Sequence, residues 1–113
     1  MIYDKVHELV RDIKASPEFR ELKAAREKLE KNSESQKVLQ DFHVKRFEIQ
    51  SMQMQGKEIP VEKKQEYEKM VELIRLHPTV SEYLEAEYKM AKIMEDIQKI
   101  IIDGLEFKPF EKE

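Results

Sequence analysis

The residues of this chain that could do chemistry are few in kind and scattered. Three histidines, His7, His43 and His77, could ligate a metal or exchange protons near neutral pH. They lie far apart in sequence, each among ordinary neighbours. His7 has Asp4 and Arg11 one helical turn away, so a metal there would need ligands from elsewhere. A histidine at the surface or at a helix cap is the commoner case. No H-E-x-x-H pair occurs, nor the glutamate and E-x-x-H set of a di-iron bundle. No G-x-G-x-x-G or G-x-x-x-x-G-K-[ST] loop is present to cradle phosphate. The absence of cysteine excludes disulfides, thiolate metal sites and cysteine nucleophiles. Carboxylates are abundant, but they fall on charged helical faces rather than in a visible cleft. No catalytic residue, cofactor site or metal site is therefore assigned, and an enzyme is the least expected class.

The elements that would position any site are helices. The 113 residues suit one domain. Hydrophobic and charged residues make 40% each, and glycine and proline number only 2 and 4, a balance that favours long amphipathic helices. The expected fold is all-α: an elongated antiparallel bundle of about five helices, with a long C-terminal helix. A single helical domain is expected over 1–104, followed by a tail, 105–113.

The last helix dominates the pattern. It is expected from Pro78, well suited to a first helical position, to Asp103, with Gly104 as the left-handed residue just past its end. Val80, Tyr83, Leu84, Met90, Ala91, Met94, Ile97 and Ile101 recur at three- and four-residue steps and share one face. Ala86, Ile93 and Ile100 widen that face to roughly 200°, where one neighbour needs about 100° or somewhat more. Such a helix either sinks deep into its own bundle or packs on its own chain and on a second copy. Glu87 lies near the middle of the apolar face. It either reaches water at a seam edge or pairs with a cation from a facing helix.

The preceding helices follow the same logic. The first is expected over Ile2–Ala15, with Ile2, Val6, Leu9, Val10 and Ile13 as its stripe. Ser16 and Pro17 suit the N-cap and first position of a second helix, running to about Glu30. Ser33 and Gln36 have capping-box spacing for a third, ending near Gln55 before Gly56; alternatively the second and third form one long helix. Val38, Phe42, Ile49 and Met52 mark its main stripe, within which Lys45 either snorkels or faces Glu87. Val44, Phe47 and Met54 form a second strip on roughly the opposite side. They are either scattered surface residues or a contact surface. Gly56 to Pro60 is the clearest loop. A fourth helix runs from about Val61 to Leu76 and is stopped at His77-Pro78. In the tail, Phe107 and Phe110 flank Pro109, and the tail either folds back over these rings or frays.

Partners are bounded by charge and length. Thin helices in a chain of this size expose apolar surface unless it self-associates, so a homo-oligomer, in the simplest case a dimer, is expected. Candidate interface residues are Val44, Phe47, Met54, Glu87, Ile93 and Ile100. Lysine and arginine total 21 against 24 acidic residues, well mixed, which leaves no basic stripe for nucleic acid. No apolar run approaches the ~20 residues that span a bilayer, and the first residues lack the basic and apolar pattern of a secretory signal. A cytoplasmic location is expected.

Four segments together carry a family resemblance. They are I-Y-D-K-V-H-E-L from Ile2, Q-M-Q-G-K-E-I-P from Gln53, L-H-P-T-V-S-E-Y-L-E-A-E-Y-K-M from Leu76, and M-E-D-I-Q-K-I-I from Met94. Taken in order and at these separations, they resemble the YlbF/YmcA family of small helical bacterial proteins, most closely its YheA-type branch. The resemblance covers nearly the whole chain. His77 departs from it, standing where the family usually has Asn before the proline. The resemblance implies an all-helical cytosolic protein that self-associates or joins relatives of its own family. Some relatives act in a complex that adjusts messenger-RNA processing by a membrane-attached ribonuclease, influencing competence, biofilm formation and sporulation. Those relatives are associated with iron–sulfur clusters bound through cysteines, a cofactor that this cysteine-free chain cannot take over in thiolate-ligated form. The expected function is a non-catalytic, self-associating interaction module. Accessory regulation of messenger-RNA processing is the alternative that the resemblance supplies.

Overall fold

Proline, serine and asparagine set the starts of every helix but the first. The structure is a computed structural model that describes residues 1–107. It contains α1 (Ile2–Lys14), α2 (Pro17–Glu30), α3 (Ser33–Met54), α4 (Val61–Arg75) and α5 (Pro78–Gly104), with no strand among the described residues. The Ser16 hydroxyl accepts from the Phe19 N–H at 3.2 Å and donates to the Ile13 carbonyl at 2.6 Å. One side chain thus caps the start of α2 and meets a carbonyl at the end of α1. Pro78 opens α5 as expected, and the end of α4 closes with the His77 N–H on the Ile74 carbonyl at 2.9 Å.

The junction of α2 and α3 differs from the expected capping box. The cap is Asn32, one residue earlier, whose Oδ1 accepts from the Ser35 N–H at 3.1 Å, and Ser33 is already helical. Asn is at least as good a cap as Ser, so the earlier residue prevails. Gln36 then sits too far along to reach the cap. Its amide instead donates to the Leu29 and Glu30 carbonyls, at 3.2 and 2.9 Å, and serves the end of α2. The two helices are separate, not one.

The helix ends carry a second difference. Gly56 is left-handed, with φ 71°, as expected. Its N–H bonds the Gln53 carbonyl and the Lys57 N–H bonds the Met52 carbonyl, at 3.1 and 3.0 Å, the paired pattern of a Schellman turn. Gly104, expected in the same role, is the last residue of α5. The left-handed residue is Glu106, with φ 57°. The Glu106 N–H bonds the Asp103 carbonyl at 3.1 Å and the Phe107 N–H bonds the Ile102 carbonyl at 3.0 Å. Glycine permits the left-handed turn without demanding it, so α5 runs through Gly104. Phe107, the last described residue, is 69% exposed. The expectation for Pro109 and Phe110 lies outside the described residues.

The backbone divides into two compact units, one of Lys23–Leu84 and one of Met1–Leu22 with the chain from Glu85 onward. The first holds a closed core of Leu29, Leu39, Phe42, Ile74 and Val80, flanked by Val38, Tyr67, Met70, Val71, Tyr83 and Leu84. Val80, in the first turn of α5, is 0% exposed. The Phe42 and Tyr67 rings stack at 5.8 Å with planes 20° apart, and the Arg46 guanidinium lies 5.4 Å from the Phe42 centroid. Phe42, Lys45 and Glu48 on α3 meet Tyr67, Glu66 and Lys63 on α4 in reverse order, so this pair is antiparallel. In the second unit the described residues bury one hydrophobic side chain, Ala86.

The two glycines should respond oppositely to alanine. Gly104→Ala removes a helical glycine whose added methyl meets nothing within 4 Å, and should raise stability by about 0.5–1 kcal/mol. Gly56→Ala forces a side chain into the left-handed region and should lower stability by about 1 kcal/mol or somewhat more. Urea unfolding of the two variants beside the wild type checks both signs.

Candidate functional site

Two ion pairs join α3 and α4. Lys45 bonds Glu66, and Lys63 pairs with Glu48. Lys45, weighed as a partner for Glu87, is thus engaged on α4. The Lys45 ammonium, by hydrogen bond and then by charge, holds the Glu66 carboxyl below its ordinary range, with Lys63 and Lys69 adding to the effect. Lys28 and Glu82 stand 3.5 Å apart, tying α2 to the start of α5. Lys89 lies 3.6 Å from Glu21 and 3.9 Å from Glu85. These pairs are solvent-exposed or half-exposed, a class that contributes little to stability singly.

The second strip of α3 is open to solvent. Phe47 is 72% and Met54 89% exposed, and Val44 is exposed beside them. Val44 and Phe47 come together with Leu29, Gln36, Leu39, Gln40 and His43 along an open groove of about 400 Å³. Met54 does not line that groove. On α5, Glu87 and Ile93 are half-buried and Ile100 is 70% exposed. These three residues belong to the other unit from the α3 strip.

Apolar side chains of α1 and around the end of α5 are exposed as well. No residue of α1 is buried. Ile2 is 79% exposed, and Tyr3, Val6, Leu9 and Val10 are exposed as well. Met94, Ile101 and Ile102, in the second half of α5, and Leu105 just past its end are also exposed. The stripe of α1 is plain in the sequence, but periodicity identifies an apolar face without naming what covers it.

Among the described residues no three His, Asp or Glu cluster as a metal site would require. An iron–sulfur cluster needs thiolates, and the chain has no cysteine, so that group does not fit here. No described helix is long and apolar enough to cross a membrane.

Comparison with known proteins agrees with the helical architecture. The family model described as control of competence regulator ComK, YlbF/YmcA, matches residues 2–106. The chain belongs to the YlbF/YmcA family. Within reach of it are UPF0342 proteins, 40% identical over 112 residues in Halothermothrix orenii and 39% identical over 107 residues in Caldicellulosiruptor bescii. The first alignment covers 99% of this chain and 95% of its relative, the second 95% and 90%. A solved protein of unknown function (DUF964) from Bacillus stearothermophilus superposes with a TM-score of 0.77. It covers 93% of this chain and 92% of its own, and at 20% identity it bears on the fold alone. The family membership accords with five helices, and it places the branch within YlbF/YmcA no more finely than that.

Because the folded carboxyl of Glu66 ionises below its unfolded value, its contribution to stability is present above about pH 4.5. It is lost as pH falls through the lower, folded value. Glu66→Gln should therefore show a shallower loss of urea resistance between pH 5 and pH 3 than the wild type, with the two curves converging at the acid end.

Proposed function

We propose that the protein is a non-catalytic helical interaction module that self-associates and works in the cytoplasm. One observation carries this reading. The apolar faces of α1 and of the end of α5 are exposed in the single chain, where a soluble monomer rarely leaves contiguous apolar patches of more than a few hundred Å². Mixed surface charge supports a protein partner over nucleic acid. The partners proposed are a second copy and, beyond it, relatives of the same family. Light scattering after size exclusion should give a mass twice that of one chain at micromolar concentration. A mass of one chain up to hundreds of micromolar would contradict self-association.

A second reading is favoured by the description of the family model, which concerns control of competence. In it the protein is an accessory regulator of messenger-RNA processing by a membrane-attached ribonuclease complex, affecting competence, biofilm formation and sporulation. Deleting the gene should then shift the mapped ends of processed operon transcripts. Unchanged ends would remove this reading and leave the interaction module standing.

A further inference from the structure

In a chain whose residues are 40% charged, one exposed face of α3 carries no charge. It runs from Gln36 through Gln40, Val44, Phe47 and Gln50 to Met54, all exposed, within an arc of about 120° at ~100° per residue. The charged residues of α3, Glu34, Lys37, Asp41, Lys45, Arg46 and Glu48, all fall outside that arc. From Gln36 to Met54 the face extends about 27 Å at ~1.5 Å per residue. Its first part opens onto the groove of about 400 Å³, which buried Leu29 and Leu39 line together with exposed Val44 and Phe47.

Spacing, area and charge identify what fits there. Gln40, Phe47 and Met54 recur at intervals of seven residues, and Gln36, His43 and Gln50 recur likewise, each four residues earlier. Two rows so offset have the spacing of a seam that receives another helix, and polar side chains in a seam select register and partner. An extended strand would need a sheet edge, and there is no strand among the described residues. Val44, Phe47 and Met54, exposed by 59%, 72% and 89%, present on the order of 400 Å², half of the ~800 Å² that each partner buries in a standard interface of folded proteins. That is too little for a second copy and suits one helix. A charge set against this face would lose water without gaining a partner, so the occupant's own stripe is apolar and uncharged. Nucleic acid and anionic lipid would require basic residues here.

We propose that this face of α3, with the groove beside it, docks a single amphipathic helix of a different protein, laid along α3 with its uncharged stripe on Phe47 and Met54. The assignment rests on the reading of the protein as an interaction module and not on its self-association.

Photocrosslinking tests it. The full chain carries p-benzoylphenylalanine in place of Phe47 or, as a control on the charged side of α3, in place of Asp41, and each is irradiated in extract of the source cell. Mass spectrometry maps the linked segment, and a synthetic peptide of that segment is titrated by fluorescence anisotropy against the wild type, Phe47→Glu and Val6→Glu. The label at position 47 alone should link to another protein, in a segment with apolar residues at three- and four-residue steps and no charge between them. Its peptide should gain helicity on binding, bind Val6→Glu as it binds the wild type, and bind Phe47→Glu at least ~30-fold more weakly, the scale of an interface anchor. Gln40→Glu replaces Phe47→Glu if circular dichroism shows that variant unfolded. No adduct specific to position 47, an adduct of two copies of this chain, or a peptide that binds the Glu variant undiminished would overturn the proposal. Light scattering, which reads self-association, is independent of each of these outcomes.

Discussion

The fold rests on the burial of Phe42 and Val80 in one small core. That core draws on α2, α3, α4 and the first turns of α5, and it is the place where the described chain excludes water from large side chains. Phe42 is held on one side by the Tyr67 ring and approached on another by the Arg46 guanidinium. Around it the Lys45–Glu66 and Lys63–Glu48 pairs keep α3 and α4 in antiparallel register. Exposed pairs of this kind stabilise little, so they select an arrangement that the apolar contacts hold.

Away from that core the balance changes. The unit with α1 has helices as amphipathic as any in the chain, but almost nothing buried. Hydrophobic burial contributes about 25 cal/mol per Å², so faces left in water forgo a large stabilisation. The second copy proposed above would restore it. The chain has no cysteine, and among the described residues no three His, Asp or Glu cluster as a metal site would require.

Much of the fold was legible in the residues. Pro17, Pro78 and Gly56 punctuate the helices as their backbone preferences require, and Ser16 caps where its type and position suggest. Two local readings failed because neighbours competed for one role. Asn32 took the cap from Ser33, and Glu106 took the left-handed position from Gly104, since the helix could continue through glycine. Leu39 and Tyr67 joined the core although the periodic stripes had not singled them out. Of the candidate interface residues, Val44, Phe47, Met54 and Ile100 are exposed in the single chain, and Glu87 and Ile93 are half-buried. The stripe of α1 looked the same whether covered by its own chain or by another, because periodicity records amphipathicity and not the identity of the neighbour.

The central claim is that α1 and the end of α5 are covered by a second copy. Amide hydrogen exchange of the unmodified protein, compared at high and at hundredfold lower concentration, reads this most directly. The account requires amides of α1 and of the end of α5 to be protected at high concentration and to lose protection on dilution, while α3 and α4 stay protected. Exchange in α1 that is fast at both concentrations, or equally slow at both, would contradict it.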